Sequence, residues 1–198
     1  MTPEQLLIDN PVDFMQRHIV IAPGNIDAAV GDRYWFKLER SRSNFGTCGN
    51  SCKPVIGYNL VPSRKNGSIR AYWCPFKLAA TCEITVGYMA DLMFTVKMDG
   101  CSFGVGAPAN DGSRRVAHIN MFGQNNSRAK QNNVLRGMGL DDGLVDPTVY
   151  MNARHDIATN ATTFGVRNVR TREWRFFYQL SEFITANQLR LVGVMPVA

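Results

Sequence analysis

What most constrains this chain is a series of short runs in which apolar and polar residues alternate, each closed by Gly, Asn, Asp or Pro. Arg33 to Glu39 (RYWFKLE) places Tyr34, Phe36 and Leu38 on one side and Arg33, Trp35, Lys37 and Glu39 on the other. That period of two belongs to a strand with one buried face. The same reasoning gives strands near Pro54 to Val61 and Ser68 to Cys74 around a Lys65-Asn66-Gly67 turn, and again at Glu173 to Leu180 and Gln188 to Val194. Thr81 to Tyr88 suits a helix start or a strand equally. Helices are few: a short amphipathic one from Thr2 toward Gln16 with proline in its first turn, and a surface one from Ser127 to Met138 with Ser127 as N-cap. Many short strands with little helix predict an α+β, mostly β protein. The expected architecture is a two-sheet sandwich of mixed strands with flanking helices and long loops. No repeat, low-complexity tract or linker interrupts the 198 residues, so a single domain over residues 1–198 is expected. With 45% apolar and 19% charged residues the composition is neither that of a disordered chain nor that of a membrane-spanning one.

The chemistry concentrates at Cys101. Asp99-Gly100 precedes it between two apolar runs, a favoured pair for a two-residue type I′ hairpin. Such a turn would hold Cys101 at the first paired position of a strand, rigid and within reach of substrate. His118 lies in VAHINMF, a further alternating run beyond the loop GVGAPANDGSRR. If the two strands are neighbours, the imidazole can take the thiol proton and later return it to a leaving group. The competing reading is structural, because free cysteine is among the most buried residue types. Asp141, Asp142 and Asp156 are lower-ranked third groups for the histidine.

Ala90 to Cys101 (ADLMFTVKMDGC) also resembles the active-site segment of the glutamine deamidase toxins of the Burkholderia lethal factor type, related to the catalytic domains of the cytotoxic necrotizing factors. Their pattern is a Phe-Thr pair, three residues, a small polar residue, Gly and the nucleophilic Cys. Phe94, Thr95, Asp99, Gly100 and Cys101 fill those places, and Tyr72-Trp73-Cys74-Pro75-Phe76-Lys77 resembles the block that precedes the segment in that family. The similarity covers about Ala71 to Asn120. It implies Cys101 as nucleophile, His118 as general base then acid, and Thr95 as the group that orients the histidine, with no cofactor and no metal. The Cys-to-His interval is longer than in the lethal factor, and Asp99 stands in place of a serine, which raises a thiol pKa. On the hairpin reading Thr95 falls opposite about Gly104, roughly 10 Å along from Cys101 at about 3.3 Å per residue. A histidine from a third strand would then bridge them.

The resemblance further implies a secreted bacterial toxin or effector that acts in the host cytosol. Its expected partner is a host protein substrate, the translation initiation factor 4A helicase or alternatively a Rho-family GTPase. No Sec-type signal is read at the N-terminus, which carries acidic residues and no continuous apolar stretch. The expected state is a monomer without membrane attachment. A net charge of +6 raises a rival from another class, a non-enzymatic basic RNA-binding β-protein. Its features would be Arg167, Arg170, Arg172 and Arg175 interleaved with Phe164, Trp174, Phe176, Phe177 and Tyr178 as stacking platforms. A half-buried strand produces the same interleaving, so nucleic acid is the lesser expectation. Of five cysteines, Cys48, Cys52, Cys74 and Cys82 lack zinc-knuckle spacing and are read as structural.

Overall fold

The computed structural model describes residues 1–24, 26, 33–42, 44–47, 54–63, 68–151, 159–185 and 188–198. The Lys65-Asn66-Gly67 turn, Cys48, Cys52 and Asp156 lie outside the described residues. Two short helices, α1 (Pro3–Asp9) and α2 (Pro11–Arg17), lead into β1 (Ile19–Ile21), β2 (Arg33–Arg40), β3 (Asn44–Thr47), β4 (Gly57–Pro62), β5 (Ile69–Cys74), β6 (Thr81–Val86) and β7 (Leu92–Thr95). They are followed by β8 (Ser102–Val105), β9 (Arg114–Ile119), α3 (Ser127–Gly137), β10 (Gly143–Val145), α4 (Pro147–Tyr150), β11 (Thr159–Arg167), β12 (Trp174–Thr185) and β13 (Gln188–Pro196). The protein is mostly β with a few short helices. A nine-stranded mixed sheet runs β1-β4-β2-β5-β7-β11-β12-β13-β3, and a four-stranded antiparallel sheet runs β10-β8-β9-β6.

The alternation of β2 does what its period requires, burying Phe36 and Leu38 and leaving Trp35 and Lys37 outward. At the middle of the large sheet both faces are covered. Ile69, Ala71 and Trp73 of β5 pack toward α1 and α2 with Leu7, Phe14 and Met15. Tyr72 and Cys74 pack against the small sheet with Ile84, Phe103 and Val116. On the outer side of the small sheet α3 contributes Leu135 to a cluster with Ala117, Ile119 and Leu140. Gly104 of β8 makes that approach possible, since a Cβ there would sit 2.5 Å from the Leu140 carbonyl oxygen. The result is two sheets face to face, with helices on both outer sides.

Several local expectations are corrected. The N-terminal helix is two helices, because Pro11 lacks an N–H and forces Asn10 out of helical geometry to φ −142°, ψ 68°. Ser127 is the first residue of α3, not its cap. The N-cap is Asn126 in left-handed conformation with no side-chain cap bond. The choice left open at Thr81 to Tyr88, helix start or strand, resolves as a strand over Thr81–Val86.

The most consequential correction concerns Asp99-Gly100. It does not join paired strands: β7 lies between β5 and β11 with both edges taken, so the chain must leave the sheet, and β8 belongs to the other one. Gly100 has φ +132°, but Asp99 is not among the residues with positive φ, which a type I′ turn would require.

Candidate active site

β9 lies between β8 and β6 and carries His118 opposite Phe103 on one side and Cys82 on the other. The ring is 1% exposed and faces the large sheet. There its Nδ1 lies 2.7 Å from the Thr95 hydroxyl at the end of β7, so the hydrogen bond ties one sheet to the other. The Phe76 ring meets the imidazole edge-on at a centroid distance of 5.5 Å.

Cys101 immediately precedes β8. Ser102 pairs with Ile119, which sets Cys101 beside Asn120, and the Asn120 carboxamide donates from Nδ2 to Cys101 Sγ at 3.2 Å. The Asn120 Oδ1 accepts from the Phe122 N–H at 2.9 Å and the Ala79 N–H at 3.4 Å, which fixes the amide with its donor end toward sulfur. Side chains two apart on a strand share a face, so His118 and Asn120 project together, as do Cys101 and Phe103. Cys101 and His118 are therefore diagonal neighbours on the inner face of an antiparallel pair, a separation that a ring and a sulfur can span. No hydrogen bond joins them in this state, and His118 Nε2 is buried without a hydrogen-bond partner. The strand adjacency expected for Cys101 and His118 is present. Thr95 does not face Gly104; it approaches the histidine from the opposite sheet.

Two later segments hold the backbone of Gly100 and Cys101. Tyr150 Oη, from α4, accepts from the Gly100 N–H at 2.8 Å and donates to the Cys101 carbonyl at 2.7 Å. Gln131 of α3 donates to the Gly100 carbonyl at 3.0 Å. Tyr150 is fully buried, and burial pushes its hydroxyl pKa well up. Replacing Tyr150 by Phe strands both backbone partners in the core. It should cost about 1–3 kcal/mol, a lowering of Tm by several degrees in thermal unfolding. The Gly100 amide is engaged by Tyr150 and is not free to donate to a substrate. The groups that hydrogen-bond the sulfur are Asn120 Nδ2 and the Asp99 backbone.

Burial dominates the electrostatics. It drives the His118 pKa down to about 4 and lifts the Cys101 thiol, with the Asp99 carboxylate adding to the rise and the Asn120 donor opposing it. At neutral pH the resting pair is therefore a thiol and a neutral imidazole, not a thiolate and an imidazolium. Cys74, fully buried near Thr95 and the His118 backbone, is pushed up to about 12 and stays an inert thiol. Among the described residues Cys74, Cys82 and Cys101 are free, and no three His, Cys, Asp or Glu side chains gather where a metal could sit.

Cys101 is only 1% exposed, so the expected open nucleophile at a strand end is corrected to a closed one. A cleft of about 590 Å³ comes close to it, lined by Phe76, Val96, Lys97 and Asp99 together with Ile21, Ala22 and Gly24. Phe76 lines this cleft and meets the His118 ring. Asp142 is taken by Arg114, Asp141 is exposed, and neither partners His118.

No protein-family model matches this chain, and no curated protein matches it. The resemblance rests on the sequence of about Ala71 to Asn120 alone. Three residues escaped the sequence reading, Asn120, Tyr150 and Gln131, and Phe76 stands in the matched block without a role. Asn120 had a signal, since it follows His118 by two on a strand and must share its face.

Proposed function

We propose that this protein is a cysteine-dependent protein-glutamine deamidase. The observation that carries the reading is the buried Thr95–His118 hydrogen bond between the sheets, with Cys101 and its Asn120 donor on the same face as the imidazole. Donation of the Nδ1 proton to the threonine hydroxyl leaves the Nε2 lone pair free to act as base. His118 removes the Sγ proton as sulfur bonds to the carboxamide carbon of a glutamine side chain. The oxyanion that forms is met by Asn120 Nδ2 and the Cys101 N–H. The imidazolium then protonates the amine, the C–N bond breaks, and ammonia leaves a thioester. Water, deprotonated by the restored imidazole, attacks that thioester; glutamate is released and the thiol regains its proton.

As effector chemistry, the reading places the protein in a host cytosol, secreted from a bacterium and acting there as a monomer. The translation initiation factor 4A helicase is the leading substrate, its deamidation blocking translation, and a Rho-family GTPase is the second. The RNA-binding alternative loses its platforms, because Phe164, Trp174, Phe176 and Tyr178 are core residues, and Arg167 is paired with Asp91.

The test is incubation of purified candidate substrates with the protein, followed by intact mass and an ammonia assay. A gain of about one dalton at one glutamine with equimolar ammonia supports the reading; neither signal with either substrate overturns the assignment of target, and no ammonia from any glutamine-bearing protein overturns the activity. Within an active preparation, Asn120→Ala should lower kcat by about a hundredfold to a thousandfold with a smaller change in KM, the signature of an oxyanion donor.

A further inference from the structure

The hydrogen bond between Thr95 and His118 does not end at the threonine. Thr95 pairs with Cys74 across the parallel strands β7 and β5, and His118 pairs with Cys82 across β9 and β6. Paired residues on neighbouring strands project to one face, and here the two pairs face each other between the sheets. The Cys74 thiol donates to the Cys82 carbonyl at 3.5 Å. The Thr95 hydroxyl and the His118 backbone N–H both hydrogen-bond the same sulfur. Cys74 therefore touches the orienting partner of the histidine, the histidine's own backbone and its strand neighbour.

A carbonyl oxygen accepts and never donates, so the Cys82 end gives this chain of hydrogen bonds a direction. The thiol hydrogen is committed to that oxygen, and burial, which pushes the thiol pKa up to about 12, keeps it on sulfur at neutral pH. What sulfur offers Thr95 is a lone pair. The hydroxyl has one hydrogen; given to sulfur, it leaves an oxygen lone pair toward Nδ1, which then supplies the hydrogen of the 2.7 Å contact. Nε2 is left bare. The far side of the ring agrees, because Nε2 is buried without a hydrogen-bond partner, and a buried N–H without an acceptor is a rarer state than an acceptor without a donor.

We propose that Cys74 is a positioning residue: by giving the Thr95 hydroxyl its acceptor, it fixes His118 as the tautomer with hydrogen on Nδ1 and a free lone pair on Nε2. No bond to the Cys74 sulfur forms or breaks during turnover. The resemblance gives Thr95 a role and Cys74 none. The catalytic meaning of the tautomer rests on the deamidase reading, which uses Nε2 as its base, but the tautomer itself is a property of the resting protein and is measured without substrate.

Long-range proton–nitrogen correlation NMR on protein with isotope-labelled histidine, recorded at neutral pH, reads which ring nitrogen carries the hydrogen. The His118 ring is neutral there, its pKa being about 4, and His118→Asn identifies its signals among those of the three histidines. The parent should show hydrogen on Nδ1. Cys74→Ala should move the balance toward Nε2–H by about fivefold or more, the weight of one hydrogen bond, and lower kcat by a similar factor with KM nearly unchanged. Cys74→Ser, whose hydroxyl accepts and donates in the manner of the thiol, should restore both. Should Cys74→Ala fail to fold, Cys74→Val, which fills the site with an apolar group, takes its place. A parent with hydrogen on Nε2 overturns the inference, as does an alanine or valine variant with the parent's tautomer, or a serine variant that behaves like alanine. The expected tautomer response in a protein that releases no ammonia supports the hydrogen-bond chain and sinks the deamidase reading alone.

Discussion

Cys101→Ser is expected to abolish ammonia release, with kcat reduced roughly a thousandfold or more, while the protein stays folded. The first half follows from chemistry: a neutral imidazole with a pKa of about 4 is too weak a base to activate an alcohol, though it suffices for the more acidic thiol. The second half follows from packing. Serine is slightly smaller than cysteine, and its oxygen accepts from Asn120 Nδ2 at least as well as the sulfur that the amide now meets at 3.2 Å. The loss is confined to the apolar contacts of sulfur in the inter-sheet cluster, about 1 kcal/mol, or about 2–4 °C in Tm for a chain of this size. Ammonia assay and thermal unfolding on the same preparation check both halves. Retained turnover would remove Cys101 from the mechanism, and a lost transition would show only that the thiol supports the fold.

His118 should impose a pH dependence on stability that its removal erases. Its ordinary value of 6.5 falls to about 4 in the folded protein. Above pH 6.5 both folded and unfolded chains carry the neutral ring and nothing is lost. Between 6.5 and about 4 only the unfolded chain takes up the proton, so stability drops by about 1.4 kcal/mol per pH unit, about 3 kcal/mol in all. Below about 4 both states are protonated and the loss levels off. His18, also lowered by burial, contributes in the same direction, so the diagnostic quantity is the difference between the parent and His118→Asn. Urea unfolding at closely spaced pH values should show the parent losing stability faster across this window. Parallel curves would mean that the imidazole is solvated or already charged. In an active preparation the same ionisation predicts an acid limb of kcat/KM near 4, well below the limb of an unperturbed histidine.

How much of this was legible in the residues depends on how local each signal is. β2 could be read because Phe36 and Leu38 alternate with charge, and β9 because Val116 and His118 alternate inside a bounded run. β11 could not. Asn160, Thr162 and Thr163 are buried in it beside Ala161 and Phe164, so a strand covered on both faces shows no period of two. Asp99-Gly100 carried a sound turn signal, yet a dipeptide has no knowledge that β7 is already flanked on both edges. The Thr95–His118 contact joins residues in different sheets; spacing along the chain does not contain it, and family resemblance alone suggested the pair. The burial of Cys101 and the clamp from Tyr150 belong to the same class, set by segments far away in sequence.

That clamp has a consequence for the order of events during synthesis. The segment resembling the deamidase toxins ends near Asn120, yet the carbonyl of Cys101 is gripped by Tyr150, and β7 has its outer neighbour only once β11 exists. A nascent chain emerging from the ribosome thus carries every reacting atom long before it can hold any of them in place. On the proposed deamidase reading, competence waits for α4 and β11 to arrive.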